Sequence, residues 1–321
     1  MQTLFIGAAA LSLAASDQAY TFSTLDPALP WRNAIASGTI SGLWVDGGGL
    51  SHGFVFAAVV FSSYDVPGAG GAATGGVTGT QGGGINSAGV IGGDDTAGGA
   101  MHGYVRNAAG VITTADTPGF IDTAYTAIND SGQITVQVDN GDPLAYRSFL
   151  RAADGTLQVI AFPGTLATGL TGINNTGVTV GGYLDAAQVV HGFIRNAVGV
   201  YQWLDDPRYE LVRPWGLNSL RVAVGELDVL GASHAFVRDT QGTLTAFDFP
   251  GATYYTTAFG IDTQRDVVGQ YCDATATVCH AFLATTAVPE PAAASLAALG
   301  LGALAWRHRR NARRARNRTG A

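Results

Sequence analysis

Five of the six histidines occupy the same position in a recurring pattern, each followed by Gly or Ala and then by an aromatic residue. They are His52, His102, His191, His234 and His280. Histidine can bind metals or act as a general acid or base. Catalysis needs one site, whereas a feature present in nearly every repeat is architectural. The pattern therefore favours a structural hydrogen bond across a turn, such as His191 with Asp185, over a metal site or catalysis.

Residues that depart from the pattern are better candidates for recognition. The stretch 203–215, which the repeat places between the first and second strands of its fourth copy, concentrates aromatic and Arg side chains. Such side chains on loops of a rigid scaffold commonly bind ligands, including sugars by stacking. The predicted ligand-binding residues are Trp203, Arg208, Tyr209, Arg213 and Trp215. The alternative is that the two Trp side chains fill the packing of the repeat.

No Ser-His-Asp triad, pair of carboxylates or Cys/His cluster can be assembled from residues that occur outside the repeat pattern. The sequence therefore predicts no catalytic residue, no metal site and no cofactor. The two cysteines, Cys272 and Cys279, flank one turn of the last repeat, where a hairpin would bring them together. In an oxidising compartment we expect them to form a disulfide; the other interpretation is two buried free thiols.

Three landmarks define the repeat. The first is an Asp and a Pro turn at the end of a strand, and the second reads Gly/Ala-Ile-Asn with small variations. The third, here called the His motif, is His followed by Gly or Ala and an aromatic residue. In the third copy Arg147-Ser-Phe149 takes the place of the His motif, and successive third landmarks lie 43 to 50 residues apart. The clearest copy runs from Thr243 to Leu283. Its short runs of alternating apolar and polar residues predict four strands per copy.

Each landmark has a mechanical reason. Pro lacks an N–H donor and Gly accepts a positive φ, so Asp-x-Pro-Gly ends a strand. The Asn of the second landmark can cap its own turn, and the Gly three residues later, as in Asn174 and Gly177, suits a hairpin. The aromatic residue of the His motif is expected to point into the core.

Six copies of about 44 residues with four strands each predict an all-β fold, a six-bladed β-propeller over residues 20–285. Closing the ring also protects the edges that an open sheet of this size would expose. The alternative is an open β-solenoid or a row of small sheets.

The composition limits the partners. Charged residues make up 13% of the 321 residues, the net charge is −7, and all 17 basic residues are Arg. Seven of those Arg follow Trp306 and every acidic residue precedes it, so the body is strongly acidic. An acidic surface repels phosphates, and the sequence therefore predicts no nucleic-acid partner.

The two ends carry targeting features. Residues 4–15 are apolar and predict a signal peptide within 1–19, although no Lys or Arg precedes them. At the other end Pro289, Glu290 and Pro291 precede fifteen apolar residues, 292–306, and then an Arg cluster with Arg307, Arg309 and Arg310. A helix of fifteen residues spans about 22 Å, short of the roughly 30 Å hydrocarbon core, so it suits a provisional anchor. The Arg cluster would stop transfer and keep its end in the cytoplasm.

This arrangement over residues 286–321 resembles the PEP-CTERM sorting signal, whose tail is also labelled the C-terminal domain of ice-binding proteins. The resemblance implies an inner-membrane precursor, recognition by an exosortase-type protease, and delivery to the exterior alongside exopolysaccharide. The repeats over 20–285 resemble HAF-type extracellular repeats, with departures at Arg147 and at Ala36, where other copies have Asn. That second resemblance implies an extracellular address and no particular activity.

Two functions follow as expectations. The first is an exported structural or binding module at the cell surface or in the matrix, with a surface glycan as the expected ligand. The second is a carbohydrate-active hydrolase or lyase with its site in the central channel. An enzyme should show non-repeating carboxylates on one face, and the Asp residues here mostly follow the repeat, which favours the module.

Overall fold

The computed structural model describes residues 20–25, 31–58, 60–70, 78–141, 146–252, 255–272 and 279–286, with side chains in the second range described from Ala34. All of its named elements are β-strands, which confirms the all-β class. The predicted signal peptide, C-terminal helix and sorting signal lie outside the described residues. None of the described segments forms a helix with the length and apolar character needed to span a bilayer.

The strands follow one another in chain order with short turns between them. The first twelve are β1 (Tyr20–Thr24), β2 (Trp31–Ala36), β3 (Thr39–Val45), β4 (Leu50–Ala57), β5 (Val60–Tyr64), β6 (Thr78–Gln81), β7 (Ile91–Ala97), β8 (Ala100–Arg106), β9 (Ile112–Thr114), β10 (Asp122–Ile128), β11 (Ile134–Asp139) and β12 (Arg147–Arg151). The other twelve are β13 (Leu157–Ile160), β14 (Ala167–Ile173), β15 (Thr179–Leu184), β16 (Val190–Arg195), β17 (Tyr201–Trp203), β18 (Leu211–Leu217), β19 (Ala223–Val229), β20 (Ala232–Arg238), β21 (Leu244–Phe247), β22 (Tyr255–Ile261), β23 (Val267–Cys272) and β24 (Cys279–Thr286).

Antiparallel pairing divides these strands into four-stranded meanders, which we number as units one to six. Units one to five are β2–β5, β6–β9, β10–β13, β14–β17 and β18–β21. Unit six contains β22, β23 and β24, and its fourth strand is β1 from the other end of the described chain. The register of that last pair runs from Tyr20 opposite Thr286 to Thr24 opposite Phe282.

The structural unit is offset by one strand from the sequence repeat. The copy Thr243–Leu283 begins with β21, which is the outermost strand of unit five, and only then enters unit six. The offset arises because the Asp-Pro turn does not close a hairpin. It follows the outermost strand and leads the chain back to the first strand of the next unit.

The first strands of the units are the innermost. The first strand of each unit contacts the unit before it, and β2 of unit one contacts β22 and β23 of unit six, so the contacts close a ring. The apolar core lies between neighbouring units. One cluster joins Val180 and Ile194 of unit four to Leu227 and Phe236 of unit five, and another joins Ile40 of unit one to Val268 of unit six. This is a propeller-like arrangement.

The aromatic residues of the His motif lie in this core, as the sequence predicts. Phe193, Phe236 and Phe282 are fully buried, and so is Tyr104. The Gly after the second landmark also has the predicted conformation, since Gly177 has a φ of 74°.

Candidate functional site

Each repeated histidine for which a bond is described donates a hydrogen bond from Nδ1 to the carboxylate of the Asp that follows the fourth strand of its own unit. The Nδ1–carboxylate distances are 2.8 Å for His52–Asp65, 2.9 Å for His102–Asp116, 2.8 Å for His191–Asp205 and 2.9 Å for His234–Asp248. The His begins the third strand and the Asp follows the fourth, and antiparallel pairing brings these two points together. The Asp lies 13 or 14 residues after the His in each case.

The other ring nitrogen reaches back to the turn that precedes the third strand. Nε2 of His191 lies 3.2 Å from Oδ2 of Asp185, and Nε2 of His52 lies 3.6 Å from Oδ2 of Asp46. The ring also stacks on the residue opposite it in the second strand, with centroids 4.6 Å apart for Trp44–His52 and 4.9 Å for Tyr183–His191. The imidazole therefore ties together the second, third and fourth strands of a unit. The sequence predicts the Asp185 contact but misses the Asp at the far end of the fourth strand, although its nearly constant spacing is a readable signal.

In the described part of the chain, no group of three or more His, Cys, Asp or Glu side chains comes together as a metal site would require. In unit three Arg147 takes the histidine position and its side chain is exposed. Cys272 and Cys279 lie opposite each other at the ends of β23 and β24 and form a disulfide.

Carboxylates raise the pKa of three of these histidines, His102, His191 and His234. Hydrogen bonds to Asp116 and Asp248 are the largest cause for His102 and His234. For His191 burial acts in the opposite direction, and the hydrogen bonds to Asp185 and Asp205 outweigh it. A pKa that is higher in the folded state means that protonation favours folding. This stabilisation is complete below the ordinary histidine pKa of about 6.5 and is lost as the pH rises through the folded-state value.

We expect His191→Ala to lower the free energy of unfolding by about 1–3 kcal/mol, because it leaves Asp185 and Asp205 without their partner. Denaturant titrations at pH 6 and pH 8 measure it, and the loss should be larger at pH 6. His234→Ala, in another unit, should add a similar loss independently. Arg147→Ala is the matched control, because it changes the same repeat position where no imidazole is present, and it should have little effect. Equal losses for the Arg and His variants, or melting that shifts in chelator only when the His is intact, would contradict the structural role.

The five predicted ligand-binding residues do not form one site. Trp203 lies on β17, the outermost strand of unit four, with 63% of its surface exposed. Arg208 pairs with Asp206 on the surface, at 2.6 Å between Nη2 and Oδ2, and Tyr209 packs against the core between units four and five. Arg213 and Trp215 lie on β18, the innermost strand of unit five. The stretch lies within one sequence copy but spans two structural units, because it links the outer edge of unit four to the innermost strand of unit five.

Arg213 and Trp215 line a cavity of about 300 Å³ at the axis of the ring, to which all six units contribute. Five units contribute residues of their first strands, and unit two contributes residues 83–85, which follow β6. The ring of Trp215 meets that of Phe259 edge-on, with centroids 5.7 Å apart. The guanidinium carbon of Arg213 lies 5.7 Å from the centre of the Trp215 ring. Gln137 and Tyr146 of unit three also line this cavity.

A buried carboxylate holds Arg213 in place. Nη1 of Arg213 donates to Oε1 of Glu226 at 2.8 Å, and the Thr257 hydroxyl donates to Oε2 at 2.9 Å. Only 7% of the Glu226 side chain is exposed, against 32% for Arg213. Burial, with a smaller contribution from the charge of Glu226, raises the pKa of the neighbouring Tyr255 to about 12. Burial also raises the pKa of Tyr146, and Arg213 partly offsets that shift.

The second landmarks of the units lie at the axis, between this cavity and a second one. Their aliphatic residues, among them Ile128, Ile173 and Leu217, contribute to both this cavity and the second cavity, which has a volume of about 210 Å³. The landmark Asn side chains join the units there. The Asn174 Nδ2 donates to the carbonyl of Asn218 at 3.0 Å, and the Asn129 Nδ2 donates to the carbonyl of Asn174 at 3.1 Å.

The PEP-CTERM protein-sorting motif matches residues 287–310, which include the Pro289–Glu290–Pro291 tripeptide and Arg307, Arg309 and Arg310. The predicted PEP-CTERM motif is thereby confirmed over these residues. Such motifs are recognised by exosortase, so the chain is marked for export through membrane-associated processing. The resemblance to HAF-type repeats stays a prediction. No curated protein matches the chain.

Three solved structures resemble the fold. TolB from Acinetobacter baumannii has a TM-score of 0.52 and 11% identity, and the match covers 68% of this chain and 53% of TolB, so this chain spans about half of that protein's length. A gluconolactonase from Xanthomonas campestris has a TM-score of 0.52 and 13% identity, and the match covers 83% of this chain and 90% of the gluconolactonase. A catalytically inactive virginiamycin B lyase from Staphylococcus aureus with quinupristin has a TM-score of 0.50 and 10% identity. The match covers 83% of this chain and 99% of the lyase. At these identities the likeness concerns the fold alone.

Proposed function

We propose that the chain is an exported binding module of the cell surface or extracellular matrix, delivered by an exosortase-type protease, with a surface glycan as its ligand. The observation that carries the proposal is the match of residues 287–310 to the PEP-CTERM motif. In this proposal the short apolar segment holds the precursor in the inner membrane, and the Arg cluster keeps the end of the chain in the cytoplasm. The body of the protein is then released or retained on the outer side.

The proposal treats the six four-stranded units as blades of one six-bladed propeller. The closed ring of contacts between first strands supports this reading. So does the pairing of β1 with β24, which joins the two ends of the repeat region within one unit. A ring closed in this way is rigid and presents a preformed cavity, which suits a binding module because a preformed site loses little entropy when a ligand binds.

The cavity wall also favours binding over catalysis. Arg213 is the one charged residue among the described residues that line it. Glycoside hydrolysis in most families uses two carboxyl groups on either side of the scissile bond. Glu226 lies behind Arg213, and both of its oxygens already accept hydrogen bonds.

The alternative function is a carbohydrate-active hydrolase or lyase that uses the same channel. The buried Glu226 beside the high-pKa hydroxyl of Tyr255 is the observation that favours it. Turnover of a surface polysaccharide by the purified protein, abolished in Glu226→Gln, would support this alternative and exclude a simple binding module.

We expect the protein recovered outside the inner membrane to lack peptides beyond Trp306, because processing at the sorting signal removes the Arg-rich end. Peptide mass spectrometry of the two fractions measures this. Replacing Pro289, Glu290 and Pro291 with Ala should leave the full-length chain in the inner membrane. Pro67→Ala, which removes an exposed proline from a turn of the body, should be exported as the wild type is. Tail peptides in the outer fraction of the wild type would contradict the sorting mechanism.

A further inference from the structure

We infer that the axial cavity binds one acidic sugar residue, a hexuronate, with Arg213 as the anchor for its carboxylate. This inference rests on the proposed binding function and names its ligand class. Three features of the cavity lead to it: a fixed cation, an aromatic wall, and a neutral hydroxyl donor on the same wall.

The first feature is Arg213, whose guanidinium group is held in place and keeps unused N–H donors. Glu226 uses one oxygen for the Arg213 Nη1 and the other for the Thr257 hydroxyl, so the carboxylate is fully engaged and cannot turn away. A guanidinium group has five N–H donors in a rigid fork. The Glu226 bond uses one of them, and it is the one hydrogen bond of this side chain within the described residues. The remaining donors face a cavity whose other described lining residues carry no charge.

The second feature is the aromatic wall. Trp215 lies beside the guanidinium group, Phe259 meets the Trp215 ring edge-on, and both rings line the cavity. The C–H face of a pyranose packs well against such rings, and Tyr and Trp are common in recognition sites because they combine apolar area with a polar group. A small inorganic anion would leave this apolar wall without a partner.

The third feature is the Tyr146 hydroxyl, a neutral hydrogen-bond donor that lines the same cavity. Together with the N–H groups of Arg213 that Glu226 does not use, it favours a ligand rich in acceptor oxygens.

Size limits the ligand. Small-molecule sites have volumes of about 300–1,000 Å³, and this cavity of about 300 Å³ is at the lower end. One sugar residue, free or at the end of a chain, fits this volume better than a longer segment does. A hexuronate supplies the carboxylate, the C–H face and the acceptor oxygens together.

Titration calorimetry with D-glucuronate, D-glucose and acetate at pH 7 tests the inference on the purified protein. We expect glucuronate to bind about tenfold to hundredfold more tightly than glucose, since a charge-assisted hydrogen bond of about 1.5–3 kcal/mol separates the two. Acetate should bind far more weakly than glucuronate because it has no face to pack on Trp215.

Three variants separate the anchor from the fold. Arg213→Lys keeps the charge but loses the fork and should lower the affinity for glucuronate by about tenfold. The double variant Arg213→Met with Glu226→Gln avoids an unpaired buried carboxylate and should abolish the preference over glucose. Arg208→Met is the matched control, since it removes the Arg of a surface Arg–carboxylate pair, and it should bind as the wild type does. Melting curves confirm that each variant is folded.

Equal affinity for glucuronate and glucose, no binding of either, or equal affinity for glucuronate and acetate would each overturn the inference. Loss of glucuronate binding in Arg208→Met would also overturn it, because Arg208 lies outside the cavity. These outcomes are independent of export, which the sorting-motif variants test separately. A protein that is sorted as proposed but does not bind glucuronate refutes the ligand class alone.

Discussion

Gly216→Ala should lower the free energy of unfolding by about 3 kcal/mol or more, one of the largest effects we expect from a single methyl group in this chain. A Cβ atom at this position would lie 2.5 Å from the carbonyl oxygen of Phe259 and 3.2 Å from the Cα of Gly260. Both atoms are backbone of the next unit, so neither can move aside as a side chain would. The methyl group therefore has to push units five and six apart at the axis. Denaturant titration measures the loss.

Gly47→Ala is the control for this substitution. Gly47 has no positive φ, and no atom lies within 4 Å of its built Cβ, so the same change should alter stability by less than about 1 kcal/mol. The glycines at the same landmark position in other units, Gly84 and Gly172, also face backbone atoms of the next unit. A small loss at Gly216, comparable to that at Gly47, would show that the ring relaxes at the axis and that the close approach is not required.

This close approach explains why four of the six copies of the second landmark begin with Gly; Ala34 and Ala127 take the position in units one and three. The sequence identifies the landmarks, the strand class and the turns because these depend on local chemistry, namely period-2 alternation and the positive φ of residues such as Gly177. Contacts between units depend on how strands 40 or more residues apart pack around an axis. A local pattern carries no information about that geometry.

The same limit explains two features of the fold that the sequence does not predict. The pairing of β1 with β24 joins residues more than 250 positions apart, and nothing in the segment Tyr20–Thr24 distinguishes an opening strand from a closing one. The one-strand offset arises because the Asp-Pro turn looks like the end of a unit in sequence. In space it is the step between the outer edge of one unit and the axis of the next.

The candidate site was predicted only in part for a related reason. Proximity in sequence grouped Trp203 with Trp215, although one side chain lies at the outer edge and the other at the axis. Glu226, which fixes Arg213, was missed because it occupies a position of the second strand where polar residues recur: Gln137 and Gln270 are its equivalents relative to the His position. Asp94 is a second carboxylate at the equivalent position, and only the pairing of β18 with β19 places Glu226 opposite Arg213.

The predicted hydrogen bond between His191 and Asp185 is present because the two residues lie close together in the sequence. The turn between β15 and β16 brings Asp185 close to His191 within a few residues, which sequence spacing can indicate. The shorter contact, with Asp205, requires the fourth strand to fold back against the third. It therefore becomes visible only once the strand pairing is known.

The second large effect is expected at Asn174, which combines a turn cap with a bond between units. Its Oδ1 accepts the N–H groups of Thr176 and Val178, both at 3.0 Å, and its Nδ2 donates to the carbonyl of Asn218 in unit five at 3.0 Å. The side chain is buried, with 4% of its surface exposed. Asn174→Ala removes all of these bonds and leaves buried backbone groups without partners. We expect a loss of about 3 kcal/mol in the free energy of unfolding, since each unsatisfied group contributes about 1–3 kcal/mol.

Asn196→Ala separates the two roles. Asn196 begins a turn of the same kind in the same unit, and its Oδ1 accepts the N–H of Val200 at 2.8 Å, but that turn lies at the exposed side of the unit. Loss of its cap should lower stability by about 1 kcal/mol. The difference between the two variants measures the bond to unit five and the burial of the groups it satisfies.

Asn174→Asp completes the series, because it keeps the accepting oxygen and removes the donor. Unit six already has Asp at this position: Asp262 accepts the N–H groups of Gln264 and Asp266, and burial raises its pKa. In Asn174→Asp the new carboxyl group would face the Asn218 carbonyl, so its protonated form should be favoured and the variant should regain stability as the pH falls toward 5. Titrations at pH 5 and pH 8 test this. If Asn174→Ala and Asn196→Ala lose equal stability, and Asn174→Asp shows no recovery at pH 5, then the Asn side chains cap turns and do not hold the units together.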